Sequence, residues 1–97
     1  MMKITKSSAQ QLIELYTNIY ANDRVEWYHV RDTESKNIIM EINIYRRHAK
    51  IFIDYARDAY VDVDLPWDDA FIIKGNYLLV SMEGIKTHAI FAMEVVE

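Results

Sequence analysis

The sequence predicts an α+β fold in which one N-terminal helix packs on a strongly twisted antiparallel sheet of five or six strands. Apolar residues recur with helical spacing only near the N-terminus, and beyond residue 25 they alternate or run in short β-prone stretches. The chain has 97 residues, of which 52% are apolar, so it can bury one hydrophobic core but not two. We therefore expect residues 1–97 to form a single domain.

The predicted helix covers about residues 7–21. Ser7 and Ser8 can cap its first turn, since a glutamine follows each of them at the three-residue spacing of a capping box. Apolar side chains then recur every three or four residues on one helix face: Ala9, Leu12, Ile13, Tyr16, Ile19 and Tyr20. We expect this stripe to be buried from Leu12 to Ile19, and Asn22-Asp23 to end the helix.

The middle of the chain is typical of antiparallel strands with one buried and one solvated face. Residues 25–31 are β-prone, and Trp27 shares a face with Val25, which favours a core position for the indole. In the following strands, alternation predicts these buried residues: Ile38, Met40, Ile42 and Ile44, then Ile51, Ile53 and Tyr55, then Ala59, Val61, Val63 and Leu65.

The last third of the chain is more apolar. Pro66 interrupts the ladder and forces a turn. FIIK-GN-YLLV predicts a hairpin closed by Gly75-Asn76, because glycine readily adopts a positive φ. Gly84 marks another turn before a final strand over residues 86–96. Adjacent apolar residues in these strands predict that both sheet faces are covered, one by the N-terminal helix and the other by either a second layer or a partner subunit, which would make a homodimer through these strands.

The amino-acid composition excludes several classes of function. The chain has no cysteine, which excludes thiol catalysis, disulfides and cysteine-bound zinc. Its three histidines have no metal-binding spacing, its serines lack a nucleophile elbow, and its two glycines stand apart. We expect a non-enzymatic protein with no catalytic residue and no cofactor. No apolar run approaches the roughly 20 residues needed to span a bilayer, which predicts a cytoplasmic protein without membrane contact.

Negative charge is concentrated in residues 54–69, which hold six aspartates and one basic residue. Residues 1–53 carry a net charge of +2 and residues 54–97 a net charge of −6, which predicts a polarised surface. If residues 59–65 form a strand, three side chains share its outer face at a spacing of about 6.6 Å, and three more follow on the turn. These six residues are the predicted partner-binding site: Tyr60, Asp62, Asp64, Trp67, Asp68 and Asp69.

The acidic stretch has three interpretations. The stretch does not match a calcium-binding loop that starts at Asp62, because the fifth, sixth and twelfth positions of that loop hold Pro66, Trp67 and Ile73. We therefore predict no metal site. As a solvated face it would keep a sheet edge soluble and discourage strand pairing. As a docking surface it would meet a positively charged partner, with its aromatic side chains as anchors.

The third interpretation gives the main functional hypothesis. We expect the acidic face to bind a basic groove of another protein. The partner could be a nucleic-acid-binding protein, because carboxylates about 6–7 Å apart approximate the phosphate spacing of an extended nucleic-acid strand. A nucleic-acid mimic of this kind would inhibit its partner, by analogy of size and charge with the anti-CRISPR and antirestriction inhibitors of phages and mobile elements. Direct nucleic-acid binding is disfavoured, since the only basic cluster, residues 46–50, is interpreted as a solvated hairpin end.

A regulatory or small-ligand-binding domain is the alternative hypothesis. It would use an aromatic pocket between helix and sheet. The residues expected to line that pocket are Tyr16, Tyr20, Trp27 and Tyr77.

Overall fold

One helix and eight strands make up the computed structural model, which describes residues 2–19, 26–83 and 88–97. The elements are β1 (Lys3–Thr5), α1 (Lys6–Thr17), β2 (Trp27–Arg31), β3 (Ile38–Asn43), β4 (His48–Asp54), β5 (Ala59–Asp64), β6 (Phe71–Lys74), β7 (Tyr77–Glu83) and β8 (His88–Val96). A short 3-10 turn over Tyr55–Arg57 connects β4 and β5. The predicted α+β class is confirmed.

All strands belong to one sheet with the order β1-β8-β7-β5-β4-β3-β2, and β6 pairs with β7 beside this path. Adjacent strands are antiparallel except β1 and β8, which are parallel with Lys3 opposite Glu94. The prediction of five or six purely antiparallel strands was therefore wrong. β1 is only three residues long, so it shows no alternation, and no local signal indicates a partner at the far end of the sequence.

The sheet curls until its two ends approach each other, which gives a nearly closed barrel. The loop after β2 makes this contact with β1: the Thr33 amide donates to the Lys3 carbonyl at 2.9 Å, and the Lys3 amide donates to Asp32 Oδ1 at 2.9 Å. Asp32 Oδ2 also accepts hydrogen bonds from the Glu34 and Ser35 amides. One carboxylate therefore joins the loop to the strand across the seam.

The helix is capped by Thr5, two residues before the first of its predicted serine caps. Thr5 ends β1 in an extended conformation, and its Oγ1 accepts a hydrogen bond from the Ser8 amide at 3.0 Å. Ala9, Leu12, Tyr16 and Ile19 are buried as predicted, whereas Ile13 is only half-buried. The predicted end of the helix at Asn22-Asp23 and the core position of Tyr20 lie outside the described residues, as do Val25 and Gly84.

The core fills the space between α1 and the inner face of the sheet. Its fully buried side chains come from the helix and from both halves of the sheet: Leu12, Met40, Ile42, Leu78, Val80 and Met93. Tyr16 packs edge-to-face on Phe71 with ring centroids 5.1 Å apart, so α1 covers the end of the sheet near Pro66. At the opposite end of β4 and β5 the inner face is open to solvent.

Three predicted core positions were wrong because they lie at this open end: Ile53 on β4, Tyr55 just after it, and Val61 on β5, which is 49% exposed. Ile53 and Tyr55 are exposed, since a register shift between Phe52 and Asp54 breaks the alternation and Tyr55 begins the 3-10 turn. Trp27 was also predicted to be buried, but it lies on the outer face of β2 opposite Asn43 and is exposed.

The hairpin closed by Gly75-Asn76 is confirmed, with Lys74 paired to Tyr77 and Gly75 at a φ of +60°. On the inner face of this region Phe71, Leu78 and Val80 are buried, whereas Ile73 is 40% exposed. On its outer face, however, Ile72 and Ile90 remain exposed, so the single chain covers only one of the two faces. In the described part of the chain, no helix is long and apolar enough to cross a membrane.

We expect Asp32→Ala to lower the free energy of unfolding by about 1 kcal/mol at pH 7, because it removes the acceptor shared by three backbone amides. These hydrogen bonds, chiefly that from the Lys3 amide, lower the pKa of Asp32 from 3.8 to about 2. The contribution of the carboxylate is thus complete above about pH 4 and is lost as the pH falls towards 2.

Urea denaturation at pH 7, 5, 4 and 3 measures the free energies of unfolding of wild type and variant. We expect the gap between these two values to narrow below pH 4. Asp54→Ala is the matched control, because among the described residues the Asp54 carboxylate makes a single exposed contact, 3.6 Å from Arg57 Nε. A gap that stays constant from pH 7 to pH 3 would contradict the assigned role of Asp32.

Candidate functional site

The six predicted partner-binding residues, called the acidic strip below, lie on two consecutive elements. Tyr60, Asp62 and Asp64 occupy the outer face of β5, as the alternation predicted. Trp67, Asp68 and Asp69 follow in the loop between β5 and β6. The Leu65 amide donates to the Arg47 carbonyl at 2.8 Å, so pairing with the preceding hairpin continues past the end of β5.

The carboxylates of β5 are held by a histidine on the neighbouring strand. His48 of β4 lies opposite Asp64, with its Nε2 2.9 Å from Asp62 Oδ1 and its Nδ1 3.4 Å from Asp64 Oδ1. A neutral imidazole can donate to one of these oxygens, and a protonated imidazole can donate to both. The two aspartate side chains nevertheless remain 55% and 77% exposed, so their other oxygens face solvent.

Tyr60 is packed more closely than predicted. It lies opposite Phe52, with ring centroids 5.4 Å apart, and the Lys50 ammonium lies 4.6 Å from the centroid of the tyrosine ring. Such a cation–π contact contributes roughly 0.5–1 kcal/mol at an exposed site. Tyr60 is therefore half-buried and fixed in place, whereas we predicted an exposed side chain.

Trp67 stacks on an arginine at the other end of the strip. The Arg47 guanidinium carbon lies 3.2 Å from the Trp67 ring centroid and 6.0 Å from that of Tyr16. Arg47 Nε is buried and makes no hydrogen bond, and the residue has a φ of +51° in the turn between β3 and β4. The indole itself is 65% exposed, so its remaining surface is free to meet a partner.

A cleft of about 320 Å³ lies beside this stack, between the end of α1 and the loop after β5. Its lining residues are Tyr16, Thr17, Ile19, Arg47, Trp67, Asp68 and Asp69. The Tyr16 hydroxyl donates to the Pro66 carbonyl, and burial raises the pKa of this phenol to about 12, although the Arg47 charge acts in the opposite direction. Tyr16 is therefore a neutral structural donor at physiological pH.

The basic cluster at residues 46–50 is not the solvated hairpin end that we predicted. Arg47, His48 and Lys50 contact Trp67, the β5 aspartates and Tyr60, respectively. The β4–β5 hairpin brings the basic first half of the chain against its acidic second half, so the charges are interleaved on this face. The connection between β4 and β5 has four residues, Tyr55 to Asp58, and it places Phe52 opposite Tyr60. These contacts follow from that register, so they could have been predicted from the length of the connection.

Acidic charge still exceeds basic charge along the strip. Glu83 of β7 pairs with Asp64 and adds a further carboxylate beside the four aspartates, whereas among the described residues Arg47 and Lys50 are the permanent cations that contact strip residues. Within residues 2–19, 26–83 and 88–97, no group of three or more histidine or carboxylate side chains is placed to hold a metal ion.

The predicted aromatic pocket does not assemble as we described it. Tyr16 lines the cleft beside Arg47, but neither Trp27 nor Tyr77 lines that cleft, and Tyr20 lies outside the described residues. Trp27 is on the outer face of β2 and Tyr77 opens β7. Trp67, which we had assigned to the docking face, is the second ring of this cleft.

Comparisons with protein-family models, with curated proteins and with solved structures find no match to this chain.

Proposed function

We propose that the protein is a non-enzymatic binding protein whose acidic strip docks on a basic groove of a partner protein. The observation that carries this proposal is the exposure of Asp62 and Asp64 on the outer face of β5 and of Trp67 in the loop that follows. Exposed carboxylates close in sequence to a large exposed aromatic ring combine charge steering with an anchor, the two features that docking surfaces need.

His48 strengthens the proposal because it orders the row. Asp62 Oδ1 lies 2.9 Å from His48 Nε2, so this carboxylate is oriented before the partner arrives, and Asp64 Oδ1 lies 3.4 Å from the other ring nitrogen. A pre-ordered side chain loses less conformational entropy on binding than a free one. The two aspartates are also two residues apart on one strand, about 6–7 Å, which approximates the phosphate spacing of an extended nucleic-acid strand.

The favoured partner is therefore a protein whose groove binds nucleic acid. Occupation of that groove by the acidic strip would inhibit the partner, as phage- or mobile-element-encoded anti-CRISPR and antirestriction inhibitors do as a class. The proposal places the protein in the cytoplasm. It also requires that binding weaken as salt rises, because exposed charges are screened within about 10 Å at 0.1 M ionic strength.

The double variant Asp62→Lys/Asp64→Lys tests the proposal. We expect wild type to displace nucleic acid from the partner's groove in a competition assay, and the variant to fail. The variant should still fold, because both positions are exposed, but its melting temperature should fall, since the new lysines lie opposite Lys50 and His48.

Asp54→Lys/Asp58→Lys is the matched control for this experiment. It makes the same charge change in the same acidic stretch, but at the connection between β4 and β5 and outside the strip. The control should still compete. If Asp62→Lys/Asp64→Lys competes as well as wild type, the strip is only a solvated face.

A regulatory or small-ligand-binding domain is the second candidate. The cleft beside Arg47 favours it, since a buried guanidinium nitrogen without a hydrogen bond adjoins two aromatic rings there. Thermal-shift measurements with a panel of small carboxylates would show a stabilisation that Arg47→Met abolishes. No shift with any of them would leave the docking proposal as the better one.

Self-association is a further part of the proposal. On the outer face of the C-terminal strands, Ile72, Leu79 and Ala92 form one row across β6, β7 and β8, with exposed Ile90 nearby. This face adjoins the acidic strip, because Ser81, which pairs with Ile90, donates its hydroxyl to the Asp69 carbonyl, so a homodimer formed through it would lie beside the strip. Sedimentation equilibrium of wild type and Ile72→Lys/Ile90→Lys measures whether the face associates.

A further inference from the structure

Trp67 turns one face of its indole towards the protein and the other towards solvent. The Arg47 guanidinium carbon lies 3.2 Å from the ring centroid, so the guanidinium covers one face. The side chain is nevertheless 65% exposed, a fraction that leaves the opposite face open. The acidic strip therefore ends in a flat aromatic surface that is stacked on one side only.

The surroundings of this open face are acidic. Asp68 and Asp69 follow Trp67 directly, both are exposed, and both line the cleft that Trp67 and Arg47 share. The face of an aromatic ring attracts cations, and the indole of tryptophan does so most strongly. The neighbouring carboxylates add to this attraction and repel anions such as a nucleic-acid phosphate. The open face therefore fits a positively charged group.

The contacts within the chain indicate which cation fits best. A guanidinium group is planar and weakly hydrated, so it can lie flat on a ring, whereas an ammonium group is compact and strongly hydrated. Arg47 lies 3.2 Å from the indole centroid, while the Lys50 ammonium lies 4.6 Å from the centroid of Tyr60. A guanidinium group that stacks on the open face also keeps its N–H edge free to donate to Asp68 or Asp69.

The carboxylates are needed because Arg47 would repel a second cation across the ring. Among the residues that line the cleft, Asp68 and Asp69 supply two negative charges against the single positive charge of Arg47. The cleft is thus net acidic even with Arg47 in place. A second cation on the open face meets more attraction than repulsion.

We infer that the partner presents an arginine that stacks on the open face of Trp67, so that the indole lies between two guanidinium groups. The edge of the partner's guanidinium donates to Asp68 or Asp69. This inference rests on the proposed function of the acidic strip and names the side chain that the strip recognises. A lysine matches the charge of the strip but not the stack, so the strip selects arginine over lysine.

Three synthetic peptides of the sequence KGXGK, in which X is arginine, lysine or tyrosine, are the probes. The full chain carries Trp27→Phe, which leaves Trp67 as its only tryptophan. NMR titration measures the dissociation constants and the nuclear Overhauser contacts of the indole ring. We expect the arginine peptide to bind about fivefold more tightly than the lysine peptide, and its arginine δ protons to contact the indole ring.

Two variants separate stacking from charge. Trp67→Leu keeps an apolar side chain but removes the aromatic face, so the arginine and lysine peptides should bind it equally. Asp68→Asn/Asp69→Asn keeps the indole and should weaken the binding of both peptides. Asparagine is a suitable replacement at Asp69, which has a φ of +57°, because asparagine tolerates the left-handed region as aspartate does.

The outcomes distinguish this inference from the docking proposal on which it rests. Arginine stacking is wrong if the arginine and lysine peptides bind equally without contacting the indole, and docking by charge stands if Asp62→Lys/Asp64→Lys then weakens both. Tightest binding by the tyrosine peptide, with contacts to the indole, would show that the open face takes an aromatic side chain instead. If neither cationic peptide binds wild type more tightly than Asp62→Lys/Asp64→Lys, the docking proposal itself fails.

Discussion

Replacing Leu12 with alanine is expected to lower the free energy of unfolding by about 2–5 kcal/mol, the range for removing a fully buried leucine side chain from a core. Leu12 lies on the face of α1 that packs against the sheet, in one cluster with Met40, Leu78 and Met93. The cavity left behind would be enclosed by residues of both sheet halves, which cannot move closer together without breaking strand pairing.

Ile13→Ala is the matched control for Leu12→Ala, because it removes a side chain of equal size from the next position of the same helix. Ile13 is only half-buried, so its loss should cost clearly less. Urea denaturation monitored by circular dichroism measures both values. Equal losses for the two variants would mean that α1 is rotated relative to the packing described above.

Truncation of Trp67 should have the largest effect of any single substitution on partner binding. We expect Trp67→Ala to weaken binding by roughly 2 kcal/mol or more, about 30-fold, if the exposed indole is the anchor of the interface. The loss of folding stability should be smaller, since the indole is 65% exposed and its contact with Arg47 is a cation–π stack.

Titration calorimetry with the partner measures this effect against Asp68→Ala, which removes a neighbouring charge and should cost less than Trp67→Ala. Tyr60→Ala should also weaken binding more than any single aspartate substitution, but the tyrosine ring packs on Phe52, so its variant will lose stability as well. A partner that binds Trp67→Ala as tightly as wild type would show that charge alone drives docking.

The sequence predicted the parts of the fold that depend on neighbouring residues. The helix stripe around Leu12 and the glycine turn at Gly75 are local signals, and both are present in the structure. The parallel pairing of β1 was not predictable from a three-residue strand. Ile53 was misplaced because alternation assumes an uninterrupted ladder, and the register shift after Phe52 breaks it.

The acidic strip was predictable in the same limited sense. Alternation along one strand placed Asp62 and Asp64 on a common outer face, as found. The contacts of His48 and Arg47 depend instead on the register between two strands and on the route of the loop after β5. Those are set by the length of the connecting turn and by burial of Leu65 and Phe71, which no single-strand pattern contains.

The parallel ladder between β1 and β8 sets an order on folding. Lys3 pairs with Glu94, so β1 cannot pair until β8 is available, and pairings this distant in sequence slow folding. Until β8 is in place, the part of α1 that packs against it lacks this contact. During that wait the β4–β5 hairpin can already form, and its aspartates would keep the exposed edge of the nascent chain from pairing with another copy.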